Sequence, residues 1–213
     1  MKKPVIIFGS GTMAMHALDI FKSHDIVVYG FLDDDEERHG KLIDDISVLG
    51  NTDDHGFLKL ISKKAEAFIA LEELEEREKV ITMLTEDRKT MPMNAIHNSA
   101  IISESASLGY GNFIAAGVVI QAFAKIDQHV QIFANSSIGA KTKISNFAQI
   151  GQNVSIGDEV EIGEGAYIGA NATIISGVKI GKNAKIGPGS VVIHKVEKEA
   201  RLFGNPAQNW KKN

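Results

Sequence analysis

From Ile96 to Val192 every sixth residue is a branched aliphatic, through seventeen consecutive positions with no insertion. Fifteen of the seventeen are Ile, the exceptions being Leu108 and Val192. Two residues upstream stands a small or β-branched residue in nearly every case, as at Ala100, Val130, Ser136, Thr142, Ala148 and Ala184. Residues two apart on a strand share a face, so each hexad predicts one short strand with two inward side chains, followed by a turn. A helix does not fit, because 3.6 does not divide six and the glycines that follow many of the aliphatics would interrupt it. Three hexads close one triangular coil, and the run makes between five and six coils of a parallel β-helix. Each buried Ile contributes roughly 1.5–3 kcal/mol against chain entropy, enough for a core that uses few aromatics. Phe113, Phe123, Phe133 and Phe147 fall at positions that do not point inward. Outward aromatics on several coils need a cover, and packing of prism against prism supplies it, so a homo-oligomer is expected.

The segment before the repeat follows a different pattern. Val5-Ile6-Ile7-Phe8 is an apolar strand, and Gly9-Ser10-Gly11-Thr12-Met13-Ala14 matches GxGxxA at the start of a helix through Phe21. A second strand, Ile26–Phe31, leads to Asp33-Asp34-Asp35, about where an acidic residue meets a ribose hydroxyl in a dinucleotide-binding fold. Free amides at the helix start favour an anion. A helix near 56–63, a strand at Ala67–Leu71 and a charged helix from about Glu73 to Leu84 complete the segment. Three readings stay open: mononucleotide or nucleotide-sugar binding, a purely structural role, and NAD. The length, enough for one mononucleotide half, speaks against NAD.

Composition narrows the chemistry. The net charge is −4 and the basic residues are scattered, so nucleic acid is not an expected partner. There is no cysteine, which fits a reducing compartment and removes thiolate catalysis and cysteine metal sites. None of the seven histidines is spaced from another as metal ligands are, so no metal is expected. The apolar run at Val5–Phe8 is too short for a signal sequence or membrane span, and the expected location is cytoplasmic. His129, at an outward position near a turn, is a weak general-base candidate, expected to be solvated.

With the glycine turn, the acidic triplet, the hexads, Ile96-His97-Asn98-Ser99-Ala100 and Gly204-Asn205-Pro206-Ala207 taken together, the whole chain resembles the NeuD/PglD type of bacterial sugar O- and N-acyltransferases. The resemblance implies a Rossmann-like α/β domain at 1–92, a left-handed β-helix acyltransferase domain at 93–197 and a tail at 198–213. It implies a homotrimer with acetyl-CoA as acyl donor in the cleft between neighbours, and a nucleotide-linked sugar as acceptor. Gly9, Ser10, Gly11, Asp33, Asp34 and Arg77 would bind the nucleotide sugar; Gly169, Ala170, Gly187 and Pro188 would line the CoA path; Trp210-Lys211-Lys212 would cover the adenine or cap the last coil. The chain departs from the family where chemistry is expected. The general-base histidine falls on Ala140, its acidic partner on Lys141 and a second histidine on Gln149; Glu72 and Glu73 stand where a glycine and a polar amide are usual. Lys141 is then a weak catalytic candidate. Two functions follow: an acyltransferase acting on an amino or hydroxyl group, or a catalytically silent trimeric binding or scaffold relative.

Overall fold

A computed structural model describes residues 2–71 and 73–210. Contacts divide the chain into two units, Met1–Asn98 and Ser99–Asn213. In the first, β1 (Val5–Phe8), α1 (Thr12–Ser23), β2 (Val28–Leu32), β3 (Leu42–Ile43), β4 (Ile46–Gly50), α2 (His55–Leu58), β5 (Glu66–Ile69) and α3 (Leu74–Thr82) follow in order. The strands lie β3-β4-β2-β1-β5, all parallel except β3 against β4. All four residues of the central strand β1 are 0% exposed, which explains its unbroken apolar run: helices or loops cover both faces of such a sheet.

Two elements depart from the sequence expectation. Helix α2 ends at Leu58 rather than near residue 63, a single turn that starts where the Asp54 carboxylate accepts the Gly56 amide. The hairpin of β3 and β4 is the second. It turns on Asp44-Asp45 without glycine and leaves Leu42 exposed, so neither the usual two-residue turn signal nor a clean alternation marks it.

The second unit is the parallel β-helix. From Ile101 to Val192 its strands are two residues long and pair with the strand eighteen residues on, as Ile120 with Ile138, Ile138 with Ile156 and Ile156 with Ile174. Inward Ile side chains from Ile114 to Ile186 are at most 3% exposed. The inward hydroxyls are satisfied rather than excluded: Ser136 Oγ donates to Gly151 O at 2.7 Å and Thr142 Oγ1 to Gly157 O at 2.9 Å.

The three faces differ in their outward side chains. One carries Ile101, Val119, Ser137, Ser155, Thr173 and Val191; the second Ser107, Lys125, Lys143, Glu161 and Lys179; the third Phe113, Gln131, Gln149, Tyr167 and Lys185. Arg201–Phe203 extends the third sheet beside Lys185–Ile186, and Gln208–Asn209 folds back on it. Among the described residues no helix is long and apolar enough to cross a membrane.

The aromatic argument for an oligomer needs correction. Phe113 is 2% exposed within the chain itself, Phe133 lies against it at 5.5 Å, and Phe147 stacks on His129. Of the four, Phe123 alone is strongly exposed, at 63%. Cover for the other three comes in large part from their own chain.

Candidate functional site

The glycine turn after β1 is closed by a tight backbone approach. Gly9 has φ +98°, and a side chain there would bring Cβ within 2.9 Å of Ala70 O at the end of β5. Ser10, buried next to it, donates both its amide (2.8 Å) and its hydroxyl to Asp33 Oδ2. The other Asp33 oxygen accepts the Asp35 amide at 3.0 Å. Arg38, from a single helical turn at Glu36–Arg38, reaches Ser10 Oγ at 3.1 Å and Asp33 Oδ2 at 3.4 Å, and its Nε donates to Asp35 at 3.0 Å. These residues line a cavity of about 360 Å³ with Gly11, Thr12, Glu73 and Glu76. Helix α1 opens there with no acidic residue in its first turn and no side-chain cap, so the positive end of its dipole faces the cavity.

Asp33 is therefore committed before any ligand arrives. Burial opposes its ionisation, but hydrogen bonds from Ser10 and Asp35 and the Arg38 charge together outweigh that, and its pKa lies below the ordinary value. Asp34 points elsewhere: its carboxylate accepts the Thr52 amide at 2.8 Å and the Thr52 hydroxyl at 3.1 Å. It lines a separate cavity of about 390 Å³ with Glu36, Asn51, Asp53 and Lys79. Arg77 lines neither cavity; it is 3% exposed on the inner side of α3, and burial lowers its pKa against the opposing pull of Glu78. Of the six residues expected at the nucleotide, Gly9, Ser10, Gly11 and Asp33 are brought together; Asp34 and Arg77 stand apart. Arg38 is the cation beside the glycine turn, and its only sequence signal was the Asp35-to-Arg38 spacing that allows an ion pair on one turn. Glu73 does face the turn, while Glu72 lies outside the described residues.

On the prism, Tyr167, Lys185, Gly187, Pro188, Arg201, Phe203 and Trp210 line a cavity of about 350 Å³. The Phe203 ring lies directly over Gly187, in the space that an added Cβ would enter. Gly169 packs one coil away, its added Cβ falling 2.6 Å from Pro188 N, and Ala170 O accepts the Gly189 amide at 2.8 Å. Neither Gly169 nor Ala170 lines the cavity. Three aromatic side chains, each 41–52% exposed, stand beside two cations, a lining that suits a flat heteroaromatic ring carrying phosphates. Sequence reasoning named Trp210 but missed Tyr167, Lys185, Arg201 and Phe203. Lys211 and Lys212 lie outside the described residues.

At the corner where the resemblance expects a base, the Ala140 amide donates to Asp158 Oδ1 at 2.8 Å and Lys141 Nζ pairs with Glu159 at 3.1 Å. Both partners of that pair are more than 60% exposed, so it adds little stability. His129 is not a solvated surface residue. It is 5% exposed, with its ring stacked on Phe147 at 5.4 Å and 8°, which closes it to a substrate. Among the described residues no group of three His, Cys, Asp or Glu is placed to hold a metal ion.

Residues 4–84 match the PglD N-terminal domain, and residues 135–168 and 159–194 match the bacterial transferase hexapeptide repeats. No curated protein matches the chain by sequence. Among solved structures, a histidine-to-asparagine mutant of perosamine N-acetyltransferase from Caulobacter crescentus, in complex with CoA and GDP-perosamine, is 25% identical with TM-score 0.89, covering 100% of this chain and 99% of that one. The corresponding histidine-to-alanine mutant, with the same two ligands, is 26% identical at TM-score 0.88, covering 100% and 99%. The acetyltransferase domain of PglB from Neisseria gonorrhoeae, in complex with acetyl coenzyme A, matches in fold at 19% identity, TM-score 0.86, covering 99% and 100%. The architecture is a Rossmann-like domain followed by a left-handed parallel β-helix of hexapeptide repeats.

The Asp33 clasp yields a pH prediction. A carboxylate whose folded pKa is depressed contributes stability that is present above its unfolded pKa, about 4, and lost as pH falls through the folded value. Asp33→Asn is expected to cost about 1–3 kcal/mol at neutral pH, and the difference from the wild type should close as pH falls below about 4. Urea unfolding across that range measures it, and a difference independent of pH would count against the clasp.

Proposed function

Because the chain belongs to the NeuD/PglD type of hexapeptide-repeat sugar acyltransferases, we propose that it transfers an acyl group from acyl-CoA, acetyl-CoA in the first instance, to the amino group of a nucleotide-linked sugar. The observation that carries this reading is the pairing of two cavities in one chain. One has a glycine turn, a helix N-terminus and Arg38, suited to a nucleoside diphosphate. The other, on the prism, joins Lys185 and Arg201 to Tyr167, Phe203 and Trp210, suited to the phosphates and adenine of CoA. Glu73 and Glu76 oppose a diphosphate in the first cavity, so Arg38 and the α1 amides carry its recognition. The Caulobacter relative supports the same ligands for this chain: with one histidine replaced by alanine it is still in complex with CoA and GDP-perosamine.

The thioester supplies an activated acyl carbon when bound. The chain's part is to hold an unprotonated amine near that carbon, since an amine carries its own lone pair and does not need a base to attack. The C–N bond forms as the C–S bond breaks, and the amine proton leaves with the thiolate or to water. Ala140 can take no proton, so a hydroxyl acceptor is the less favoured substrate here.

We further propose a homotrimer built on the face bearing Ile101, Val119, Ser137, Ser155, Thr173 and Val191. No charged residue stands among these or their neighbours Ser103, Gln121, Gly139, Gly157, Ile175 and Ile193, and Ile101, Ile175 and Ile193 are 66%, 42% and 38% exposed. Such a face fits a subunit interface better than solvent. Light scattering should give the mass of three chains, and Ile101→Glu with Ile175→Glu should lower it; a wild-type monomer would refute the assembly.

The replacement of the family histidine by Ala140 favours a second reading, a silent scaffold. Thermal melting separates the two, because a ligand that binds only the folded chain raises the midpoint. Acetyl-CoA and a nucleotide sugar should each shift it, and no shift with either would leave the scaffold standing. If transfer proceeds without a base, Ala140→His with Lys141→Glu is expected to raise kcat about a hundredfold or more with little change in KM. An unchanged kcat would mean that this corner is not where the acyl group moves.

A further inference from the structure

The corner that holds Ala140 repeats every coil, and the residues after the inward-facing strand on this side are Ser105, Phe123, Lys141, Glu159 and Gly177, eighteen apart. Phe123 occupies it with φ +59°, the left-handed conformation that Lys141 and Glu159 also adopt at this corner, each with φ +57°. At corners elsewhere in the prism the left-handed position is commonly Asn or Gly, as at Asn135, Asn153, Asn171 and Gly165. Two other rings sit at such positions, His129 and Phe147, and each is used inside the chain by stacking on the other. Phe123 has no such use. Its ring is 63% exposed, no aromatic ring is paired with it among the described residues, and the backbone is held in place by its amide donating to Ser105 Oγ at 3.1 Å. An exposed aromatic ring at this corner, stacked on no other ring among the described residues, is open to a molecule outside the chain.

Its place indicates the role. Stacked strands are about 4.8 Å apart, so Phe123 stands one coil from Ala140 and Lys141, at the corner where acyl transfer is proposed. Lys141, the chain neighbour of Ala140 and the next residue after Phe123 in this column, pairs with Glu159 one coil further on, so the ring stands next to a neutralised ion pair at that corner. We infer that Phe123 is a specificity-determining residue for the acceptor, a platform on which one face of the sugar ring stacks. The C–H edge of a pyranose face is apolar and weakly positive, and it complements the negative face of the ring. The favoured acceptors are then sugars with one face free of axial hydroxyls, deoxy sugars above all. The inference rests on the acyltransferase reading for its geometry but concerns binding, and it can be tested without turnover.

The test compares GDP-perosamine with GDP, and UDP-glucosamine with UDP, by calorimetric titration of the full-length wild type, Phe123→Ala and Phe123→Trp. At least one sugar should bind the wild type about tenfold more tightly than its bare nucleotide. Phe123→Ala should erase that increment, Phe123→Trp should keep it, and affinity for the bare nucleotide and for acetyl-CoA should not change. An increment that survives Phe123→Ala overturns the proposal, as does a wild type that binds sugar and bare nucleotide alike. Loss of trimer mass in Phe123→Ala with the increment intact assigns the ring to subunit packing and also overturns it. A wild type that binds acetyl-CoA but no nucleotide in any form defeats both the platform and the nucleotide-sugar reading. Binding with the expected increment but no turnover would defeat only the transferase.

Discussion

The stacking of each inward Ile on the Ile eighteen residues away is the contact on which the second unit depends. It sets the ladder register, since a slip of one residue would turn every inward side chain outward, and the buried hydroxyls of Ser136 and Thr142 are tied into the same register. Ser136 Oγ donates to Gly151 O and accepts the Val154 amide, while Thr142 Oγ1 does the same between Gly157 O and Val160. Corner amides follow suit: Gln128 N donates to Asn146, Ala140 N to Asp158 and Asp158 N to Ser176, each one coil on. A scaffold fixed this thoroughly from within leaves its outward positions free to vary.

Those outward positions divide the work by face. Lys125, Lys143, Glu161 and Lys179 line one face, where charges are solvated and ion pairs such as Lys179 to Glu161 cost nothing to expose. The uncharged face with Ile101 and Val191 gains most from removal of water. The third face changes character along its length, from buried Phe113 and Gln131 to the exposed Tyr167, Lys185 and Arg201. Its far end gains a wall because the chain adds Arg201–Phe203 to the sheet and then folds back to bring Trp210 over Gly187 and Pro188.

What could be read from the sequence was what periodicity encodes. The six-residue period yielded strand positions and inward residues, and the glycine turn with its preceding strand yielded the first βαβ unit. Contacts between coils were less legible. His129 and Phe147 are eighteen residues apart and neither belongs to the inward set, so only the coil geometry brings their rings together. Phe113 and Phe133, twenty residues apart, are likewise brought together by the coil geometry, and their contact removes much of the aromatic argument for an oligomer. In the first unit, the acidic triplet marked a loop beside the glycine turn without saying which carboxylate faces that turn. Asp33 does, Asp34 is spent on Thr52, and the choice is made by the short helical turn that carries Arg38 back over Ser10. Arg77 looked like a ligand because a basic residue is expected there, but helix periodicity puts it on the buried side of α3 with Val80.

On the proposed reading, the substitution at Ala140 changes which substrates can react as well as how fast. A positioned general base contributes typically about 10²–10⁴ in rate, whereas effective molarities for well-oriented partners reach about 10⁵–10⁸ M. Proximity thus outweighs the base, and an amine can use all of it once it arrives unprotonated. An alcohol cannot, because its proton must leave as the carbon is attacked, and at this corner Lys141 is a cation already paired with Glu159, while His129, at a different corner, is shut beneath Phe147. Loss of the base therefore slows hydroxyl acceptors more than amines. A corner without a base becomes selective through chemistry, and what remains for the side chains around it is to hold the acceptor in the right place.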